Sequence, residues 1–229
     1  MSHLIGELAA FGLAVGFSPL HIGLLLLLLL GPQPLRRSGW FVAGWLITTA
    51  VAMALLLSVG HGLMLTMEKG SGHRTALDLL AAGALLALGL REVLEGRERT
   101  APPGWTQKLE QFGSLPLPLL LGVSATLELA SPDDLFLLAR TAGSLLEAGL
   151  NGRQETLGVI VFSLVSSLLL LLPLLAVITG GRERILPLLE RGKRWLIGRG
   201  DLVLALVSLA AAGYLVWQGI DGLQLGLGD

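Results

Sequence analysis

Residues 16–32 read Gly-Phe-Ser-Pro-Leu-His-Ile-Gly, then seven consecutive leucines (Leu24–Leu30), then Gly31-Pro32. A serine–proline step opening an uncharged apolar run is the signature of a helix that begins inside a hydrophobic environment. Serine is a favoured N-cap, proline suits the first helical position, and its missing N–H breaks any helix arriving from before it. A second such step, Ser131-Pro132-Asp133-Asp134, follows 113 residues later inside another apolar block.

The surrounding composition fits a bilayer and excludes a soluble enzyme. Of 229 residues, 53% are hydrophobic and 14% charged, against roughly 25% charged in soluble chains. Mean hydropathy is +0.74. Apolar stretches longer than the roughly 18 residues of a bilayer crossing recur along the chain. Reading them against the charged segments predicts six spans: Leu4–Leu30, Trp40–Met67, Ala76–Leu94, the long block Leu115–Leu150, Leu157–Thr179 and Asp201–Leu223. A polar stretch, Glu95–Ser114, divides the third from the fourth, and a basic loop, Gly180–Gly200, divides the fifth from the sixth.

Lysine and arginine set the orientation. Twelve of the sixteen cations (Arg36, Arg37, Arg91, Arg97, Arg99, Lys108, Arg182, Arg184, Arg191, Lys193, Arg194 and Arg199) fall on one side. That side is expected to be cytoplasmic, with both termini outside. The N-terminus has no cation before Arg36 and so lacks the basic start of a cleaved signal peptide. Trp40, Trp105, Trp195 and Trp217 sit where aromatic belt anchors belong. In Arg182–Arg199, apolar residues interleave with cations as in a segment lying on an anionic leaflet.

Other totals exclude whole classes of function. There is no cysteine, hence no disulfide scaffold or thiol relay. The net charge of −1 gives no reason to expect nucleic-acid binding. The four scattered histidines make no dedicated metal motif, and no cofactor is implied. Neither a nucleophile–base pair nor a redox centre is visible, so no enzymatic activity is expected.

The two Ser-Pro steps each precede an apolar stretch, a small loop and another span. Residues 1–94 and 115–229 therefore read as two copies of a three-helix unit joined by a linker at 95–114. Three crossings are an odd number, so the second copy runs inverted, as in many secondary transporters. The fold expected is all-α, with six membrane helices in two inverted repeats and helix breaks at Ser18-Pro19 and Ser131-Pro132. If the breaks meet near the middle, Ser18, Pro19, His21, Glu128, Ser131, Pro132, Asp133 and Asp134 form the candidate substrate or ion site. Asp134 and His21 hold equivalent third positions after their serines, so a pseudo-twofold axis could bring them together. Such a cluster would bind a cationic group or couple transport to protons. The plainer reading is that the aspartates complement a helix dipole and His21 bonds a carbonyl at its break. Glu7, His61 and Asp78 read as interfacial, and Arg140 as snorkelling outward. Thr48, Thr49, Thr126, Ser163, Ser166 and Ser167 read as helix hydrogen-bonding groups. Gly12-x-x-x-Gly16 reads as close packing within the monomer, with a homodimer face as the alternative.

The run Ser18-Pro19-Leu20-His21-Ile22, Leu24–Leu30, Gly31-Pro32, Pro34-x-Arg36-Arg37-x-Gly39 and Phe41-x-x-Gly44-Trp45 resembles the first half of the sulfolipid/peptidoglycolipid-addressing (GAP) family of the lysine-exporter superfamily. Ser131-Pro132-Asp133-Asp134-Leu135 stands in the place of that family's Asn-Pro-Lys-Asn-Leu, followed by Ala142-Gly143 and Trp195-Leu196. The resemblance implies six spans in inverted halves, a bacterial inner-membrane location, and export of glycolipid or lipid-like cargo. Asp133 stands where the family has lysine, making this position anionic. Three functions follow as expectations: a proton-coupled exporter of a small or amphiphilic molecule, a divalent-cation permease using Asp133, Asp134, Glu128 and His21, or a non-transporting scaffold for a lipid exporter.

Overall fold

The computed structural model describes residues 2–62, 72–98 and 115–226. The end of the expected second span and most of the linker, including Trp105 and Lys108, lie outside the described residues. Those residues form nine helices and no strand: α1 (Ser2–Gly16), α2 (Pro19–Leu30), α3 (Pro34–Gly62), α4 (Gly72–Glu98), α5 (Leu117–Leu129), α6 (Pro132–Glu147), α7 (Gly152–Ser166), α8 (Leu168–Gly180) and α9 (Arg182–Gly226). Three helices are long and apolar enough to cross a membrane alone, and five crossings result if each of two bent pairs counts as one.

The exterior is apolar and the interior partly polar, the reverse of a soluble domain. Ile47, Leu55, Leu80, Leu157, Leu206 and Trp217 are exposed on the outer faces. Inside lie Phe41, Trp45 and Phe162 together with Glu7, Asp78, Glu128, Asp134 and Arg140. Lipid gives helices no hydrophobic reason to associate, so close backbone approach does the packing. A Cβ on Gly44 of α3 would sit 2.9 Å from the Leu121 Cα of α5. Gly16 of α1 likewise presses on the Ser166 carbonyl of α7, and Gly12 on the Val165 side chain. The Gly12–Gly16 face is thus used within the chain.

Local chemistry explains the element ends. α1 and α2 meet at 64° across Phe17-Ser18, and Ser18 is extended, with Pro19 beginning α2. Ser131 and Pro132 start α6 in the same way. Asn151 caps α7 reciprocally with Gln154, its Oδ1 accepting from the Gln154 N–H at 3.0 Å. Gly181, with φ of +77°, supplies the left-handed turn from α8 to α9.

Two expectations need correction. The span Leu157–Thr179 is not one helix: α7 and α8 meet at 65° around Ser167. There the Ser166 and Ser167 hydroxyls donate to the Ser163 and Leu164 carbonyls, and Pro173, inside α8, removes a further backbone donor. Nor is Gly180–Gly200 a loop. From Arg182 it is helical and continuous with the last span, in a 45-residue helix. Its cations share the segment with an apolar stripe at helical spacing. Ile185, Leu188, Leu189, Gly192, Trp195 and Leu196 line a groove with α2 and α8, so charge density marked an amphipathic helix rather than a break.

α3 packs against α5 and α6, while α7 packs on α1, and α8 on α2. α4 contacts α6, α9 contacts α2, and the longest seam joins α4 to α9. At one end Arg182 donates to the Leu30 carbonyl at 2.8 Å and Arg37 to the Leu115 carbonyl at 2.7 Å, holding the start of α9 to α2 and of α5 to α3.

Candidate functional site

The two Ser-Pro steps are helix starts, but neither serine caps its helix through its side chain. Ser18 Oγ lies 2.8 Å from His21 Nδ1, and Ser131 Oγ donates to the Leu127 carbonyl at 3.0 Å. His21 is buried, with Nε2 3.3 Å from the Ser124 carbonyl oxygen of α5. A carbonyl can only accept, so Nε2 carries the proton and Nδ1 accepts from the Ser18 hydroxyl. The ring stands edge-on to Trp45 at 4.4 Å and tilted to Phe41 at 5.8 Å. Both ring nitrogens are thus engaged, and the expected meeting of His21 with Asp134 does not occur. His21 instead ties the first break to α5.

Glu128, at the last turn of α5, is fully buried. Its Oε1 accepts from Thr49 Oγ1 at 2.5 Å, and its Oε2 has no hydrogen-bond partner. Asp134 is buried within electrostatic range of Asp133 and Glu128. Asp133 is half-buried, and its carboxylate accepts from the backbone N–H groups of residues 133 and 134. That is the dipole-complementing arrangement of the first helical turn. The second break therefore gathers Glu128, Ser131, Pro132, Asp133 and Asp134, while at the first His21 reaches α5 through Ser124, Ser18 bonds His21, and Pro19 lies against Gly200 of α9. Among the described residues, no three acidic or histidine side chains gather as metal ligands would.

A second polar centre was not expected. Arg140 is 1% exposed, and its guanidinium contacts Asp78, lies 3.4 Å from Glu7 and donates to Ser144 Oγ at 2.6 Å. Gln218 of α9 accepts from Arg140 at 2.5 Å and from Arg74 at 3.1 Å, and donates to Glu7 at 2.9 Å. Arg74 lies 3.6 Å from Asp78 and also pairs with Glu147. Tyr214 donates to Glu7 at 3.2 Å. Four helices (α1, α4, α6 and α9) are joined by this network. Glu7 and Asp78 thus face other helices rather than the outside, and Arg140, read as snorkelling outward, is buried among them. Weighed singly, each charge looked like a span-end residue. The available signal was charges of both signs in separate spans, which in a membrane must pair with one another. His61 does sit at a surface, in an exposed pair with Glu155 at 2.9 Å. The threonines and serines behave as expected at Thr126, which bonds the Gly122 carbonyl, and at Ser166 and Ser167.

Two apolar cavities flank this core. One, of about 430 Å³, lies among α1, α8 and α9 beneath Tyr214. The other, of about 520 Å³, lies among α2, α8 and α9 and ends at Trp195. Both are lined by Phe17 and Leu169, the residues beside the α1–α2 and α7–α8 bends.

An all-helical chain with an apolar exterior, buried charge and broken helices is a polytopic membrane protein. A family model described as Sap, sulfolipid-1-addressing protein, matches residues 8–221, and the chain belongs to that family. No curated protein and no solved structure matches it.

Proposed function

We propose that this protein is a bacterial inner-membrane secondary transporter that exports an amphiphilic, lipid-like molecule by alternating access, driven by the proton gradient. The observation that carries this reading is the pair of apolar cavities meeting at two helix bends. Together they follow the edge of α1–α2, α8 and α9 from Tyr214 to Trp195. A groove of that kind suits an acyl chain sliding lengthwise, and bends at its waist are natural hinges. The family's description, sulfolipid-1 addressing, points the same way.

The helix contacts support two inverted repeats, 1–94 and 115–229, with α5 and α6 forming the sixth crossing. Exchange α1–α2 with α5–α6, α3 with α7–α8, and α4 with α9. The contacts of α3 with α5 and α6 then become those of α7 with α1 and α8 with α2. The α4–α6 contact becomes α9–α2, and α4–α9 maps onto itself. The end carrying Arg37 and Arg182 is the cytoplasmic one on this reading, and α9 offers Arg191, Lys193, Arg194 and Arg199 to that leaflet.

The test is transfer between leaflets in proteoliposomes under an imposed pH gradient. Tail-labelled anionic lipids, small organic solutes and divalent ions are compared, alongside groove-filling Ala176→Trp and Ala210→Trp. Accelerated lipid transfer, lost in both variants, is the expected result. Lipid transfer no faster than in protein-free vesicles overturns the proposal and favours a scaffold. Ion flux without lipid transfer favours a cation permease.

A further inference from the structure

Beside the grooves runs a seam between α3 and α5 that the transport path does not use. It carries three buried polar atoms without a hydrogen-bond partner: Trp45 Nε1, Ser124 Oγ and Glu128 Oε2. Trp45 precedes Thr49 by one helical turn on α3, and Ser124 precedes Glu128 by one turn on α5. The Thr49–Glu128 hydrogen bond therefore sets the two pairs face to face. His21 closes the edge through the Ser124 carbonyl and the Trp45 ring.

The titratable groups around Glu128 are few. From α2 comes His21, with both ring nitrogens engaged. From α6 come Asp133 and Asp134, which have the same sign. α3 brings no titratable group, only the Thr49 hydroxyl and the Trp45 indole. No lysine or arginine among the described residues pairs with it. An unpaired carboxylate there would be a bare charge in low dielectric, costing far more than an imperfectly bonded neutral group. Asp134, within electrostatic range, would add repulsion when ionised. A hydrated ion has little room to compensate, because at Gly44 the seam is already in backbone contact: a Cβ would meet the Leu121 carbonyl oxygen at 2.7 Å.

We infer that Glu128 is the protein's exchangeable proton carrier, holding a proton as a neutral acid in the closed α3–α5 seam and releasing it to water when the seam parts. The bond broken is the carboxyl O–H, the acceptor is water, and the carboxylate formed is solvated only in the open state. Breaking Thr49–Glu128 and exposing Ser124 and Trp45 is then one event. The link to transport rests on the reading above; the protonated acid itself does not.

Dicyclohexylcarbodiimide, an apolar reagent that adds to protonated carboxylic acids, reads this state directly. Full-length protein in liposomes is treated across a pH series and its adduct located by peptide mass. An adduct at Glu128 is expected, declining as pH rises and lost at that position in Glu128→Gln. An infrared band of a protonated carboxyl, lost in Glu128→Gln, is the companion measurement, since that near-isosteric change leaves the fold in place. No adduct at Glu128 at any pH, or a protonated-carboxyl band unchanged by Glu128→Gln, overturns the inference. An adduct at Glu128 in protein that moves no cargo would sink the transporter reading while supporting this one. Flux with no Glu128 adduct would do the reverse.

Discussion

Replacing Arg140 by methionine keeps much of the side-chain volume and removes the charge at the centre of the four-helix network. Arg140 lies 3.4 Å from Glu7 and also contacts Asp78. Two unit charges at 3.4 Å attract by about 5 kcal/mol at an effective dielectric of 20. Desolvating ions that are nearly inaccessible offsets most of that, so the intact pair adds little net stability. Breaking it is different, because the carboxylates stay behind. Asp78 keeps Arg74 at 3.6 Å, and Glu7 keeps hydrogen bonds from Tyr214 and Gln218, but two arginines facing three acids become one. The expected loss is about 3–5 kcal/mol, or roughly 6–20 °C in unfolding midpoint for a chain of this size. Thermal unfolding in detergent measures it. Asp78→Asn in the same background should restore part of the loss, with a coupling energy of about 1–3 kcal/mol. A drop of under about 2 °C, or strict additivity of the two changes, would refute the idea that Arg140 neutralises buried acids.

Further outcomes follow from the same packing. Gly44→Ala should cost about 1–3 kcal/mol because its Cβ meets Leu121 backbone. Gly39→Ala, with open space around it, should be neutral or stabilising by up to about 1 kcal/mol; equal midpoints for the two would contradict the α3–α5 contact. With single-tryptophan variants and spin-labelled lipids, Trp217 (66% exposed) should be quenched and Trp45 (0% exposed) spared. Quenching of Trp45 would mean that α3 turns this face to lipid. The absence of cysteine makes topology easy to read. Arg153→Cys should react with an impermeant maleimide in intact cells and Arg184→Cys only after lysis, and the opposite pattern would invert the orientation.

Both helix starts at Ser18-Pro19 and Ser131-Pro132 were legible because proline acts on its own backbone, whatever surrounds it. The break at Ser167 was not, since serines bend a helix only when packing draws their carbonyls outward, here where Gly16 of α1 presses against Ser166. The segment after Gly180 was misread because cation density and helical spacing coexist, and only the groove of α2 and α8 decides between them. Glu128, Asp133 and Asp134 flank the second break because they lie within a few residues of it in the chain, whereas the partners of His21, Ser18 and Ser124, were set by packing.

Membrane residence and the positions of the Ser-Pro helix starts were set by the sequence itself, since they depend on local composition and covalent geometry. Which charges meet was decided by tertiary structure alone. Glu7, Asp78, Arg140 and Gln218 lie far apart in the chain and become one network only because α1, α4, α6 and α9 converge. Pairing energy depends on distance and dielectric, and neither exists until the helices are packed.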